Sequence, residues 1–192
     1  MLQPKPLTRA DCPRLVSLEG ATLSGVVYHH LPQSDDDLSY AGGERGVDSH
    51  LAAVDLDFGE HVAVAVTWAS IVDSVEGLAV LPAPYLGVGS EVLDASDRDA
   101  WRNHIGRKVQ LVAAAWQTSC EDGPETIWSV RFTFDTGSVV IALGDLEGGD
   151  ASRLVHTANS VVVVFDESLA RAFPPYPQYG VSGSSWGSPI PR

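Results

Sequence analysis

Cysteine is nearly absent: of 192 residues, only Cys12 and Cys120 are cysteines. Two thiols cannot build a disulfide framework or a four-ligand zinc site, so two reduced thiols are expected, with a single Cys12–Cys120 bridge as the alternative. Positive charge is also scarce. Lys and Arg total 12 against 25 Asp and Glu, giving a net charge of -13. That balance counts against nucleic acid as a partner, because phosphate binding needs clustered cations. It suits a protein that receives a basic partner. Apolar runs are short, and none approaches the ~20 residues of a membrane-spanning helix. The opening "MLQPKPLTRADCPR" has basic residues but no apolar h-region. No secretory signal is therefore expected, and a cytoplasmic location is. Arginine far outnumbers lysine and Ala, Val, Gly and Asp are abundant, which suits a GC-rich bacterial genome.

Recognisable chemistry is missing as well. The chain has no nucleophile elbow, P-loop or dinucleotide-binding glycine motif with the right flanks. His50, His61, His104 and His156 show no metal-ligand spacing. His29 and His30 precede Asp35, Asp36 and Asp37, but adjacent strand residues face opposite ways and the acid run reads as a solvated loop. Cys120 lies beside Glu121 and Asp122, whose charges raise a thiol pKa. The expectation is no catalytic residue, no metal and no cofactor.

What is present is β-structure. Apolar content of 44% with 19% charged suits a globular chain, one long enough to bury roughly 70% of its unfolded surface. In "AVDLDFGEHVAVAVTWA" (53–69), Val54, Leu56 and Phe58 alternate with Asp55 and Asp57, followed by a turn and a second apolar row, Val62, Val64, Val66 and Trp68. A period of two places the apolar side chains on one face and the carboxylates on the other. "SVRFTFDTGSVVIALGD" (129–145) repeats the pattern with Val130, Phe132 and Phe134, a glycine-bearing turn, then Val139, Ile141 and Leu143. Both read as antiparallel hairpins.

The likeness extends upstream. "LEGATLSGVVYH" (18–29) and "HIGRKVQLVAAAW" (104–116) share a glycine followed by apolar residues three and six positions on. The expected fold is mainly β: two packed antiparallel meanders, a sandwich or half-open barrel with two or three short helices and an internal duplication over 14–69 and 104–145. Residues 1–173 would form one domain. Residues 174–192, rich in Pro, Gly and Ser, would be a flexible tail. Between the halves, Leu78–Leu86 with its prolines suits an edge strand or an extended connector. Ser96 and Asp99 suggest a capping box opening a helix with Trp101 and Ile105 on one face. Val161–Phe165 reads as a strand covered on both faces, and Asp166 as the cap of a helix over 167–173.

Two sets of residues are candidates for binding. Asp55 and Asp57, with Glu60, Asp48 and Glu44 near in sequence, could form an acidic docking face for a basic protein. Trp68, Trp116 and Trp128 either fill the core or line a ligand pocket between the meanders. Trp186, with Tyr176 and Tyr179, would dock in trans or fold back over an apolar groove.

The "V-x-L-x-F…G…V-x-V-x-W" hairpin, with the small size and strong acidity, resembles immunity proteins of bacterial toxin systems. That resemblance implies a non-enzymatic protein that binds and neutralises a basic toxin. Two alternatives stand beside it: a small-molecule-binding or enzymatic β-fold, and a self-assembling structural subunit that uses "VVVVF" or the tail.

Overall fold

The computed structural model describes residues 4–31, 46–59, 62–71, 75–87, 91–118, 123–150, 153–175 and 183–191. In chain order its elements are α1 (Cys12–Val16), β1 (Gly25–His30), β2 (Val47–Asp57), β3 (Ala63–Ile71), β4 (Val75–Pro82), β5 (Glu91–Asp94) and α2 (Asp99–Arg102). They continue with β6 (Leu111–Thr118), β7 (Glu125–Phe134), β8 (Gly137–Leu143), β9 (Asp145–Leu146), β10 (Leu154–Val155), β11 (Val161–Val164), α3 (Glu167–Ala172) and β12 (Ser188–Pro189).

The protein is mainly β. Ten strands form one antiparallel sheet, and β9 and β10 form a small separate ribbon. The sheet curls into a half-open barrel because β2 carries two neighbours on one edge. β3 pairs with its second half and β11 with its first. The alternating residues Val54, Leu56, Val130 and Phe132 are all buried within the curl. β11 pairs with β2 on one side and β8 on the other, and its four valines are fully buried, as a continuous β-branched run demands. Its central place removes it as an edge for self-assembly. β4 packs against β7 through the N-terminal segment: the Leu7 N–H donates to the Leu78 carbonyl, and the Ile127 N–H donates to the Leu7 carbonyl.

The two meanders share one pairing register. Gly25–Asp57, Val27–Asp55 and His29–Ala53 across β1 and β2 correspond to Leu111–Thr133, Ala113–Arg131 and Ala115–Ser129 across β6 and β7. Each pair then has a bulge at the same step, opposite Ala52 in one and Trp128 in the other. The β2–β3 and β7–β8 ladders match in the same way. β11 holds the place of β4, and β12 holds the place of β5, on the outer edges of β6 and β1 respectively. The segments before β1 and β6 pair with each other through a Thr22–Lys108 bridge. Their hydrogen bonds are reciprocal: the Gly20 N–H meets the Val109 carbonyl at 2.7 Å, and the Gly106 N–H meets the Leu23 carbonyl at 2.7 Å. Gly20 and Gly106 both take positive φ, +88° and +77°, where a side chain is disfavoured. The two copies thus meet at this bridge: each has a helix and five matching strands in the same order, and the second also carries the β9–β10 ribbon and α3.

This symmetry corrects the reading of the tail. The repeats are longer than 14–69 and 104–145, and residues 183–191 are not a free tail but carry the last strand of the second copy. Ser188 and Pro189 pair with Ala114 and Ala113, Ile190 is buried, and Ser185 is 1% exposed. Proline and glycine content suggested mobility, but the hydrogen bonds come from β6 and the Ser129 hydroxyl, which donates to the Ser185 carbonyl at 2.6 Å. Tyr176 and Tyr179 lie outside the described residues. Gly187 makes the approach close: a Cβ there would sit 2.5 Å from the Ala114 carbonyl carbon, at a φ of +63°. Gly187→Ala will therefore lift β12 from β6 at a cost of about 2 kcal/mol or more. Limited proteolysis should then cut within 183–191 before the rest of the chain.

The helix signals were partly right. Asp166 caps α3, accepting from the Ser168 and Leu169 N–H groups. The capping box at Ser96 does not form. α2 starts at Asp99 after Arg98, and the Ser96 hydroxyl instead accepts the Val26 N–H at 2.9 Å, tying the turn to β1.

Candidate functional site: an indole and guanidinium groove

β12 covers only Ala113 and Ala114 of the β6 edge. Beyond it, toward Thr118, a groove of about 560 Å³ opens between β6, the start of β7, α3 and the 183–188 segment. This lies within the size range of small-molecule sites. Trp128, buried at the β7 bulge, forms its floor, with Phe173 and His156 packed edge-on and tilted behind the indole at 5.3 and 5.5 Å. Trp116 and Trp186 are half-buried in its walls.

Cations surround these rings. The Arg9 guanidinium lies 4.4 Å from the centre of the Trp116 ring and pairs with Glu125 at 2.7 Å. Arg131 and Arg171 stand 4.2 and 4.3 Å from the centre of the Trp186 ring. Such contacts favour a guanidinium over an indole face. Arg131 is buried and donates from Nε to the Trp186 carbonyl at 2.9 Å. Burial, with Arg171 nearby, lowers its pKa from the ordinary value. Arg171 pairs with Glu167 at 2.7 Å, one turn back on α3. Below the floor, His156 Nε2 shares a 2.8 Å hydrogen bond with Oε1 of the Gln117 side chain, and burial depresses its pKa to about 4.

The structure thus joins Trp116 and Trp128, and adds Trp186, but on the outer side of the second copy rather than between the meanders. Trp68 does not line the groove. It is half-buried, with its Nε1 sequestered and without a partner among the described residues. Arg9, Arg131 and Arg171 had no sequence signal: they lie far apart in the chain and converge only through the barrel.

The expected acidic face is not assembled. Asp48 and Asp55 are buried, at 3% and 7% exposure. Period-two alternation sends them away from the barrel interior, but that side of β2 is also covered. Asp55 accepts from His29 Nε2 at 2.9 Å and from the Tyr85 N–H at 3.1 Å. Asp48 accepts the Tyr28 hydroxyl at 2.7 Å and pairs with Arg98 at 3.0 Å, while Trp101 Nε1 donates to the same hydroxyl at 2.5 Å. Burial, then Asp48, raises the Tyr28 pKa well above its ordinary value. Only Asp57 of the described set stands exposed. Glu44, Glu60, Asp35–Asp37, His61 and Cys120 lie outside the described residues.

His29 and Asp55 correspond by symmetry to Ala115 and Arg131, so one backbone frame carries two different polar inserts. The His29–Asp55 pair is buried, with the Tyr85 ring edge-on to the imidazole at 5.3 Å. No group of three metal-ligating side chains gathers among the described residues. Nor is any helix among them long and apolar enough to cross a membrane.

No protein-family model, curated protein or solved structure matches the chain. Fold and site define its class from within: an antiparallel β-protein with two copies of one strand arrangement, curled as a half-open barrel, with a polar groove beside β6.

Proposed function

We propose that the chain is a non-enzymatic binding protein that docks a basic protein partner on β5. One observation carries this reading: among the described residues, β5 is an exposed apolar strand with no strand on its outer side, flanked by acids. Val92 and Leu93 are 61% and 40% exposed and the preceding Leu86 is 74% exposed. β5 pairs with β1 on one side, and no other described strand covers its outer edge. Such an edge is a template for an incoming strand. Its symmetry counterpart, β12, carries Pro189 at the place of Asp94, which cannot donate to a ladder. Glu91 and Asp94 end the strand, Asp97 and Asp99 follow it, and all four are exposed. They would steer a cationic partner and make association fall with salt.

The immunity-protein resemblance supplies the kind of partner: a basic toxin made in the same bacterial cytoplasm. The docking residues become Val92, Leu93 and the acids around them, in place of Asp48 and Asp55. A pull-down from the native host, repeated with Leu93→Lys, tests it. The expected result is one basic protein, retained at low salt, lost at high salt, and bound at least a hundredfold more weakly by Leu93→Lys. Recovery of no protein, or equal capture by the variant, rejects the reading. A second copy on this edge would show as a concentration-dependent mass in light scattering, also rejecting it.

A further inference from the structure

We propose that the groove beside Trp116 and Trp186 is a second binding site, for a small planar aromatic anion. Its polarity runs against the rest of the molecule. The chain carries 12 Lys and Arg in all, yet Arg9 and Arg171 line this groove and Arg131 lies behind Trp186. Glu125 is the one acid among the lining residues. A cation would meet the Arg9 and Arg171 guanidiniums, and a long polyanion would meet the surrounding negative field. A short ligand with one anionic group meets neither obstacle.

The guanidiniums are positioned but not locked. Arg9 and Glu125 have side chains 60% and 49% exposed, and Arg171 and Glu167 are 54% and 60% exposed. Exposed ion pairs of this kind contribute little to stability. Exchange of Glu125 or Glu167 for a ligand carboxylate is therefore nearly neutral, and bidentate geometry favours the incoming group. The ring is selected by Trp116 and Trp128. Arg131 and Arg171 already lie against the Trp186 ring and Arg9 against one face of Trp116, so a flat ring would stack on the other face of Trp116 over the Trp128 floor, a contact that an aliphatic acid of equal charge does not make as well. The walls are preformed. Ser185 fixes the segment carrying Trp186 through its hydroxyl to the Ala170 carbonyl at 2.7 Å and its N–H to the Phe173 carbonyl at 2.9 Å.

The test is titration of the full chain, by tryptophan fluorescence and calorimetry, with three probes. These are 1-naphthoate, the uncharged 1-naphthalenemethanol and the ringless cyclohexanecarboxylate. The expected result is saturable 1-naphthoate binding with both controls at least tenfold weaker. Arg171→Gln and Arg9→Gln should each weaken it about fivefold or more, and Trp68→Phe should not change it. Circular dichroism checks that each variant is folded. Trp116→Leu offers a second route if an arginine variant fails to fold. No saturation at millimolar naphthoate, equal binding of the neutral probe, or binding indifferent to the groove variants overturns the proposal. Leu93→Lys should leave naphthoate binding intact, so failure at this groove and failure at β5 are separable.

Discussion

Asp48→Ala will destabilise the fold by about 3–5 kcal/mol, the range for removing one partner of a buried charge pair. Asp57→Ala, on the same strand, will cost about 1 kcal/mol or less. The contrast comes from what each carboxylate holds. Asp48 is the acceptor for the buried Tyr28 hydroxyl and the ion-pair partner of Arg98. Without it, that hydroxyl is left without its acceptor at a site water does not reach, and the Arg98 guanidinium, 26% exposed, loses its partner. The Trp101 indole N–H still meets the Tyr28 oxygen, but the chain of three groups is broken. The Asp57 carboxylate accepts the Gly59 N–H, at 2.8 Å on the exposed rim of the hairpin. Urea unfolding of the two variants beside the parent checks this. A loss below 0.5 kcal/mol for Asp48→Ala, the size typical of a surface change, would overturn the buried network and restore the acidic-face reading.

Acidification from about pH 6.5 to pH 4 will cost the folded state up to about 3 kcal/mol through His156. Burial holds this imidazole neutral in the folded protein, with its pKa near 4 against an ordinary 6.5. Between those values the unfolded chain takes up a proton that the folded chain refuses, so each drop in pH favours unfolding. Above 6.5 the contribution is fully present, and below 4 it is gone. His30 and His104 are lowered for the same reason and act in the same direction. Glu76, raised by burial, opposes them. His156→Gln keeps a donor for the Gln117 oxygen but removes the titration. Urea midpoints at pH 7, 5.5 and 4.5 should fall less steeply for that variant. An unchanged slope would show that His156 is not buried behind Trp128.

Much of the backbone was legible because sheet periodicity is local. Val54/Leu56/Phe58 and Val130/Phe132/Phe134 declare their strands and their inward face without reference to anything distant. The same holds for the valine run of β11 and for Asp166 at the start of α3, where the capping groups are two and three residues away. The duplication was visible where both copies keep apolar patterning. It faded where the copies diverged, since Leu93 and Asp94 align with Ser188 and Pro189 only through pairing to β1 and β6. Composition alone made the last strand look like a tail.

The polar residues were the hard part. Alternation says which way a side chain points and is silent on whether anything covers that side. For Asp55 the cover is Tyr85, thirty residues on, and for Asp48 it is Arg98. The groove depends on longer separations still: Arg9, Trp116, Arg171 and Trp186 share a site only after β7 has brought the two ends of the chain together.

By itself, then, the amino-acid order determined the strands, their inward rows, the strong negative charge and the absence of any recognisable catalytic motif. Only the tertiary structure decided which acids are buried, which described apolar residues stay exposed and where the cations collect. Those outcomes are set by what lands on the second face of each strand, and chain neighbours carry no record of that.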